Sequence, residues 1–179
     1  LEMFPELNDI ANIKSRLIAN MFSEDIRFKH YSLMCRAIEE EIKKGADGII
    51  LTHGTDTLGY SAAALSFVLE NPNIPVLLVG SQRSSDRGSS DAGVNLTCAA
   101  EFITKTDFAG VAICMHEGTG DSSCLIMPPC KTRKLHTSRR DAFKVVNGQA
   151  IARVNFDTRK VDFLKKGYGK KENNQKLTV

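Results

Sequence analysis

A hydroxyl and a carboxylate stand side by side in Thr52-His53-Gly54-Thr55-Asp56-Thr57. The hexapeptide follows an apolar run, Gly48-Ile49-Ile50-Leu51, and precedes a helical pattern. A short buried strand therefore delivers Thr55 and Asp56 to a strand–helix junction. In parallel α/β sheets that junction lies at the carboxyl edge, where ligands bind. A threonine hydroxyl there can act as nucleophile or proton relay when a base comes from elsewhere, with the carboxylate as an anchor beside it. The plainer reading is that the pair opens a helix, since Thr and Asp are ordinary cap residues. Gly54 favours a site, because it lets the backbone approach a ligand closely.

Two further polar clusters follow apolar stretches: Ser23-Glu24-Asp25, and the loop from Gly80 to Ser90. Clusters at the strand ends of one sheet can converge on one crevice. Lys134 follows a short strand and precedes His136-Thr137-Ser138-Arg139-Arg140-Asp141. A lysine near a threonine becomes a base where burial or neighbours suppress its charge. Its plainer reading is an exposed charge in a basic segment. His53 is either a general base or a residue packed behind the loop, and the second suits its context better. Ser84, Ser85, Ser89 and Ser90 resemble a phosphate loop in composition only. No Gly-x-x-x-x-Gly-Lys pattern is present, so nucleotide binding by this chain is not supported. Cys124, Cys130, His116 and His136 match no zinc spacing, and no metal site is expected.

The elements that must position these residues follow from periodicity. Ile13, Leu17, Ile18 and Met21 suggest a strand near 13–21. Tyr31, Met34, Cys35, Ile38 and Ile42 share one face of a helix over 30–44, which Gly45 stops. A strand at 48–52, a helix at 57–70 and a strand at 75–79 make a right-handed βαβ unit. Both strands are apolar on consecutive positions, as in a parallel sheet covered on both faces. Asp91 is a plausible cap for a helix at 92–104. Further strands are expected at 109–115, 122–127 and 131–135, then a turn of helix near 139–146. Residues 150–156 and 160–164 read as a hairpin. The fold class is α/β, three-layer αβα with a largely parallel sheet.

With 179 residues, 42% of them hydrophobic, the chain can bury a core of one domain. Residues 1–166 read as that domain and 167–179 as a polar, poorly ordered tail. A formal charge of +3 is too small for a nucleic-acid surface, and the basic run from Lys165 to Lys176 reads as a solvated tail. No apolar run approaches the roughly 18 residues that span a bilayer, and no secretory signal is visible. Five cysteines, an odd number, three of them in apolar segments, fit a reducing cytoplasm. The chain opens at Leu1 rather than Met, which suggests part of a longer protein.

The residues also carry a resemblance. Thr52-His53-Gly54-Thr55-Asp56-Thr57-Leu58 is similar to the second signature of bacterial-type L-asparaginases. The loop from Val79 to Leu96, with Gln82-Arg83-Ser84-Ser85-Asp86-Arg87, resembles one branch, the D-type subunits of archaeal glutamyl-tRNA(Gln) amidotransferases. Lys134-Leu135-His136-Thr137-Ser138-Arg139-Arg140-Asp141-Ala142-Phe143 looks like the same branch, and the likeness runs from about Pro5 to Leu164. The resemblance implies a glutaminase whose ammonia converts Glu-tRNA(Gln) to Gln-tRNA(Gln) on a partner, the E-type subunit of the amidotransferase. It implies ATP and Mg on the partner, no cofactor in this chain, tRNA held mainly by the partner, and a homodimer within a heterotetramer. By the same resemblance Thr55 is a catalytic threonine. Asp56 gathers the substrate amino group and supports the Thr–Lys relay, and Lys134 activates Thr55. Ser23 and Glu24 hold the α-carboxylate and α-amino ends, and Ser81 lies where the loop backbone meets the scissile amide. There are departures. The family's nucleophilic threonine, in a Thr-Gly-Gly-Thr-type segment, has no match here, and Gly88 stands where the branch usually has Pro. A free L-asparaginase and a non-catalytic assembly subunit are the alternative expectations.

Overall fold

The computed structural model describes residues 3–84 and 86–172. Three helices, α1 (Phe28–Lys43), α2 (Leu58–Val68) and α3 (Ala92–Lys105), flank a six-stranded sheet. Its strands are β1 (Ile49–Thr52), β2 (Pro75–Val79), β3 (Gly110–His116), β4 (Ser123–Met127), β7 (Ala152–Asn155) and β8 (Val161–Phe163). They lie in the spatial order β1-β2-β3-β4-β7-β8. A separate two-stranded sheet pairs β5 (Thr132–Lys134) with β6 (Phe143–Val145).

Alternation along the central strands sorts the core into two layers. Val76, Leu78, Val111, Ile113 and Met115 pack against Met34, Ile38, Leu58 and Leu65 of α1 and α2. Leu77, Val79, Ala112 and Cys114 turn to the other side, against Cys98, Ala99 and Phe102 of α3. β2 is buried along its whole length, as a strand covered on both faces must be. The three-layer arrangement is therefore as expected, but the sheet is mixed. β1–β3 are parallel, while β4, β7 and β8 join antiparallel. The connections over 117–122 and 156–160 are too short for a crossover, which takes a dozen residues or more.

Two expectations fail on local grounds. Residues 13–21 form no strand, because no neighbour among the described residues offers them a ladder. The segment instead lies beside α1 without a regular element. Ile18 packs on the core and Arg16 pairs with Glu40 and Glu41. The helical turn near 139–146 is a turn followed by β6, since Phe143 is buried and pairs with Lys134 across the hairpin. Within the stretch read as a tail, residues 168–172 pack on the domain. The Tyr168 ring stacks on Phe163 at 4.1 Å, the Gly169 carbonyl accepts from Ala109 N, and Asn73 binds both the N–H and the carbonyl of Glu172. Residues 173–179 lie outside the described residues. No described helix is long and apolar enough to cross a membrane.

Phe102 is fully buried between α3 and the sheet, with Phe108 and Phe163 rings 5.3 Å and 5.9 Å away. Phe102→Ala is expected to cost about 3–5 kcal/mol, read as a lowered urea midpoint at unchanged slope. A loss under about 1 kcal/mol would contradict the packing described.

Candidate active site

The parallel register sets Thr52 of β1 beside Val79 of β2. The two strands therefore end level, and the loops that follow leave the sheet together. His53 N donates to the Val79 carbonyl at 2.9 Å, which holds them in step for one residue more. Thr55 follows the first strand and Ser81 the second.

Two glycines make the junction possible. A Cβ on Gly54 would sit 2.7 Å from the Ser23 Cβ, and one on Gly80 would sit 2.8 Å from the Thr55 Cγ2. Ser23, buried in a 3₁₀ turn over Ser23–Asp25, thus abuts the loop carrying Thr55. Thr57 Oγ1 donates to the Ser23 carbonyl at 2.8 Å and fastens that turn in place. The cap position of α2 is Thr57, which makes no side-chain bond to the helix. Thr55 and Asp56 are thereby left for other work.

That work is with Lys134. Its Nζ lies 2.8 Å from Thr55 Oγ1 and 2.7 Å from Asp56 Oδ1. Lys134 is the last residue of β5, and Phe143 opposite it anchors the hairpin in the core. The lysine side chain is only 14% exposed, whereas Asp56 is 55% exposed. The amine is thus held between a hydroxyl and a carboxylate, with the carboxylate open to an incoming cation. This arrangement can pass a proton between Thr55 and Lys134 while Asp56 takes up an ammonium group. Ser23 Oγ bonds the exposed Glu24 carboxylate at 3.2 Å, so these two also share one edge of the site.

Ser81 is placed differently from the others. Its hydroxyl is turned inward, shared between the Arg83 carbonyl and Asp91 Oδ1, the latter at 2.9 Å. Asp91 occupies the cap position of α3, as expected, but its side chain caps nothing there. Its carboxylate accepts from Gln82 N at 3.0 Å and Arg83 N at 2.9 Å instead. Sequence reasoning misses this role of Asp91 in holding the loop. The available signal is Asn95, a polar residue one turn on in an otherwise apolar helix face, found fully buried beside it.

His53 packs behind the loop. Its Nδ1 sits 2.7 Å from the Gly54 carbonyl, and burial lowers its pKa despite that bond. Cys124 is buried and Cys130 exposed, and no cluster of three or more His, Cys, Asp or Glu that could hold a metal occurs among the described residues.

The model of the family "Asparaginase, N-terminal" matches residues 1–167. The D-type subunit of glutamyl-tRNA(Gln) amidotransferase from Methanosarcina barkeri is 48% identical over 171 residues, covering 93% of this chain. The proteins of the same name from Pyrococcus horikoshii and Methanococcus maripaludis are 46% and 50% identical over 96% and 90% of the chain. The chain spans 38–40% of the length of these relatives. Among solved structures, the thermostable L-asparaginase from Thermococcus kodakarensis superposes with a TM-score of 0.80 at 32% identity. That match covers 96% of this chain and 50% of the asparaginase. A probable cytoplasmic L-asparaginase from Campylobacter jejuni gives 0.82 at 26% identity, over 96% and 54% of the two chains.

Gly80→Ala is expected to push the new methyl into Thr55 and into Leu58, whose Cδ1 would be 3.0 Å away and is buried. Overpacking of this kind costs about 1–3 kcal/mol. A lower melting temperature together with a shifted Thr55 methyl resonance would show it. Both unchanged would mean that the loop is looser than described.

Proposed function

Since the chain belongs to the asparaginase N-terminal family, we propose that its protein hydrolyses glutamine and hands the ammonia to a tRNA-dependent amidotransferase. The observation that carries this reading is Lys134 Nζ held within 2.8 Å of Thr55 Oγ1 and 2.7 Å of Asp56 Oδ1. Thr55 and Lys134 form the proton relay, and Asp56 receives the substrate ammonium while steadying the lysine. Ser23 and Glu24 hold the substrate's α-carboxylate and α-amino ends. The Ser81 backbone faces the scissile amide. A further threonine, from a segment this chain does not contain, supplies the nucleophile. The choice of glutamine rests on the amidotransferase relatives at 46–50% identity, against 26–32% for the two asparaginase structures.

The acceptor in this reading is Glu-tRNA(Gln) bound mainly by the E-type subunit, which also takes the ATP and Mg. The assembly is a homodimer of this chain's protein within a heterotetramer, in a reducing cytoplasm that keeps all five free thiols reduced. The fold match to an L-asparaginase at a TM-score of 0.80 favours a second reading, a free asparaginase. Ammonia release from glutamine and from asparagine, with and without the E-type partner and Glu-tRNA(Gln), separates the two. Glutamine turnover that does not rise with the partner would count against the first.

Lys134→Met in the full-length protein keeps an unbranched stem and deletes the amine. Turnover is expected to fall about 10²–10⁴-fold with the fold intact by circular dichroism. Near-parental rates would remove Lys134 from the relay.

The 179-residue chain alone is expected to be silent, since groups that act as a unit do not keep proportionate shares of a rate. Ammonia release above a Thr55→Ala background would mean that the chain holds a nucleophile of its own.

A further inference from the structure

Asp91 is fully buried at the start of α3, and no Lys, Arg or His pairs with it among the described residues. A buried carboxylate without a cation is costly unless neutral donors saturate it. Here they do. Ser81 Oγ and Arg83 N reach Oδ1 at 2.9 Å each, while Gln82 N and Asn95 Nδ2 reach Oδ2 at 3.0 Å and 3.3 Å. An aspartate at this position ordinarily accepts from the first turn of its own helix. Here three of the four donors come from the loop, and none is a backbone N–H of the helix.

Asn95, one turn further and also fully buried, completes the arrangement. Its Nδ2 donates to the Gly80 carbonyl at 2.9 Å, and its Oδ1 lies 2.6 Å from His116 Nδ1. Two side chains thus hold four consecutive residues, 80 to 83. The first of them is the one with no room for a Cβ beside Thr55.

We propose that Asp91 and Asn95 are positioning residues, which fix the Gly80–Arg83 backbone at the height where it presents the scissile amide to Thr55. This rests on the glutaminase reading given above. The substrate's charged ends are held by other groups, Ser23, Glu24 and Asp56. Loosening the loop should therefore slow the reaction without releasing the substrate. A misplacement of about 1 Å can cost about 10²-fold in rate.

Asp91→Asn in the full-length protein keeps the side-chain volume but turns an NH₂ toward one of the backbone donors. Glutamine kcat is expected to fall about 10–100-fold while KM stays within about threefold. Asn95→Ala leaves the carboxylate and its three loop bonds in place, and the same split of smaller size is expected. Thr55→Ala and Lys134→Met are measured alongside. If those two keep turnover, the glutaminase site itself is misread. If they are silent and Asp91→Asn has kcat within twofold of the parent, only the positioning assignment falls. Failure of both Asp91→Asn and Asn95→Ala to fold would assign the pair to stability and overturn the proposal.

Discussion

Parallel pairing of β1 with β2 in one register sets the height of everything at the site. Because Thr52 stands beside Val79, the loops bearing Thr55 and Ser81 leave the sheet at the same level. A slip of one residue would turn Leu51 and Leu78 out of the core layer they share with α1 and α2. Burial of β2 on both faces thus makes the register costly to change, and the position of the threonine hydroxyl follows from packing several residues away. Gly54 and Gly80 then let the Ser23 turn and the second loop come close enough to matter.

The lysine reaches this edge by another route. It sits on a hairpin separate from the main sheet, 78 residues from Asp56 in sequence. Phe143 and Ala142 bury themselves under the domain and carry Lys134 with them. Register brings the two loops together and apolar anchoring brings the amine. The ion pair with Asp56 adds little as a source of stability, given how open the carboxylate is.

The parts of the fold with a strong period are readable in the residues. The α1 stripe and the apolar runs of β1 and β2 lie within a residue or two of their expected places. The Thr55–Asp56 junction is readable for the same reason, since it lies between two such elements. Residues 13–21 mislead because apolar content without alternation says nothing about a partner, and a strand exists only with one. Residues 139–146 mislead because Phe143, Lys144 and Val145 pass for a helical turn when their alternation is the signal. The packing of residues 168–172 depends on Tyr168 finding Phe163 in space, a pairing of rings that no local pattern announces. Asp91 stands in its expected place with a different task, because capping is a local rule and its carboxylate answers a loop instead.

The two-stranded sheet of β5 and β6 has only three residues in each strand, and one of its six is the lysine. Elements this small, with two of six residues buried, open and close more cheaply than a central sheet does. The chemistry and the core therefore need not share one melting event. Opening of the hairpin alone would withdraw the amine from Thr55 and leave β1–β3 and their helices standing. Heat or denaturant could then silence such a site reversibly while the spectroscopic signature of the fold stayed whole. Amide exchange through Thr132–Lys134, compared with that of β2, would measure the gap between the two events.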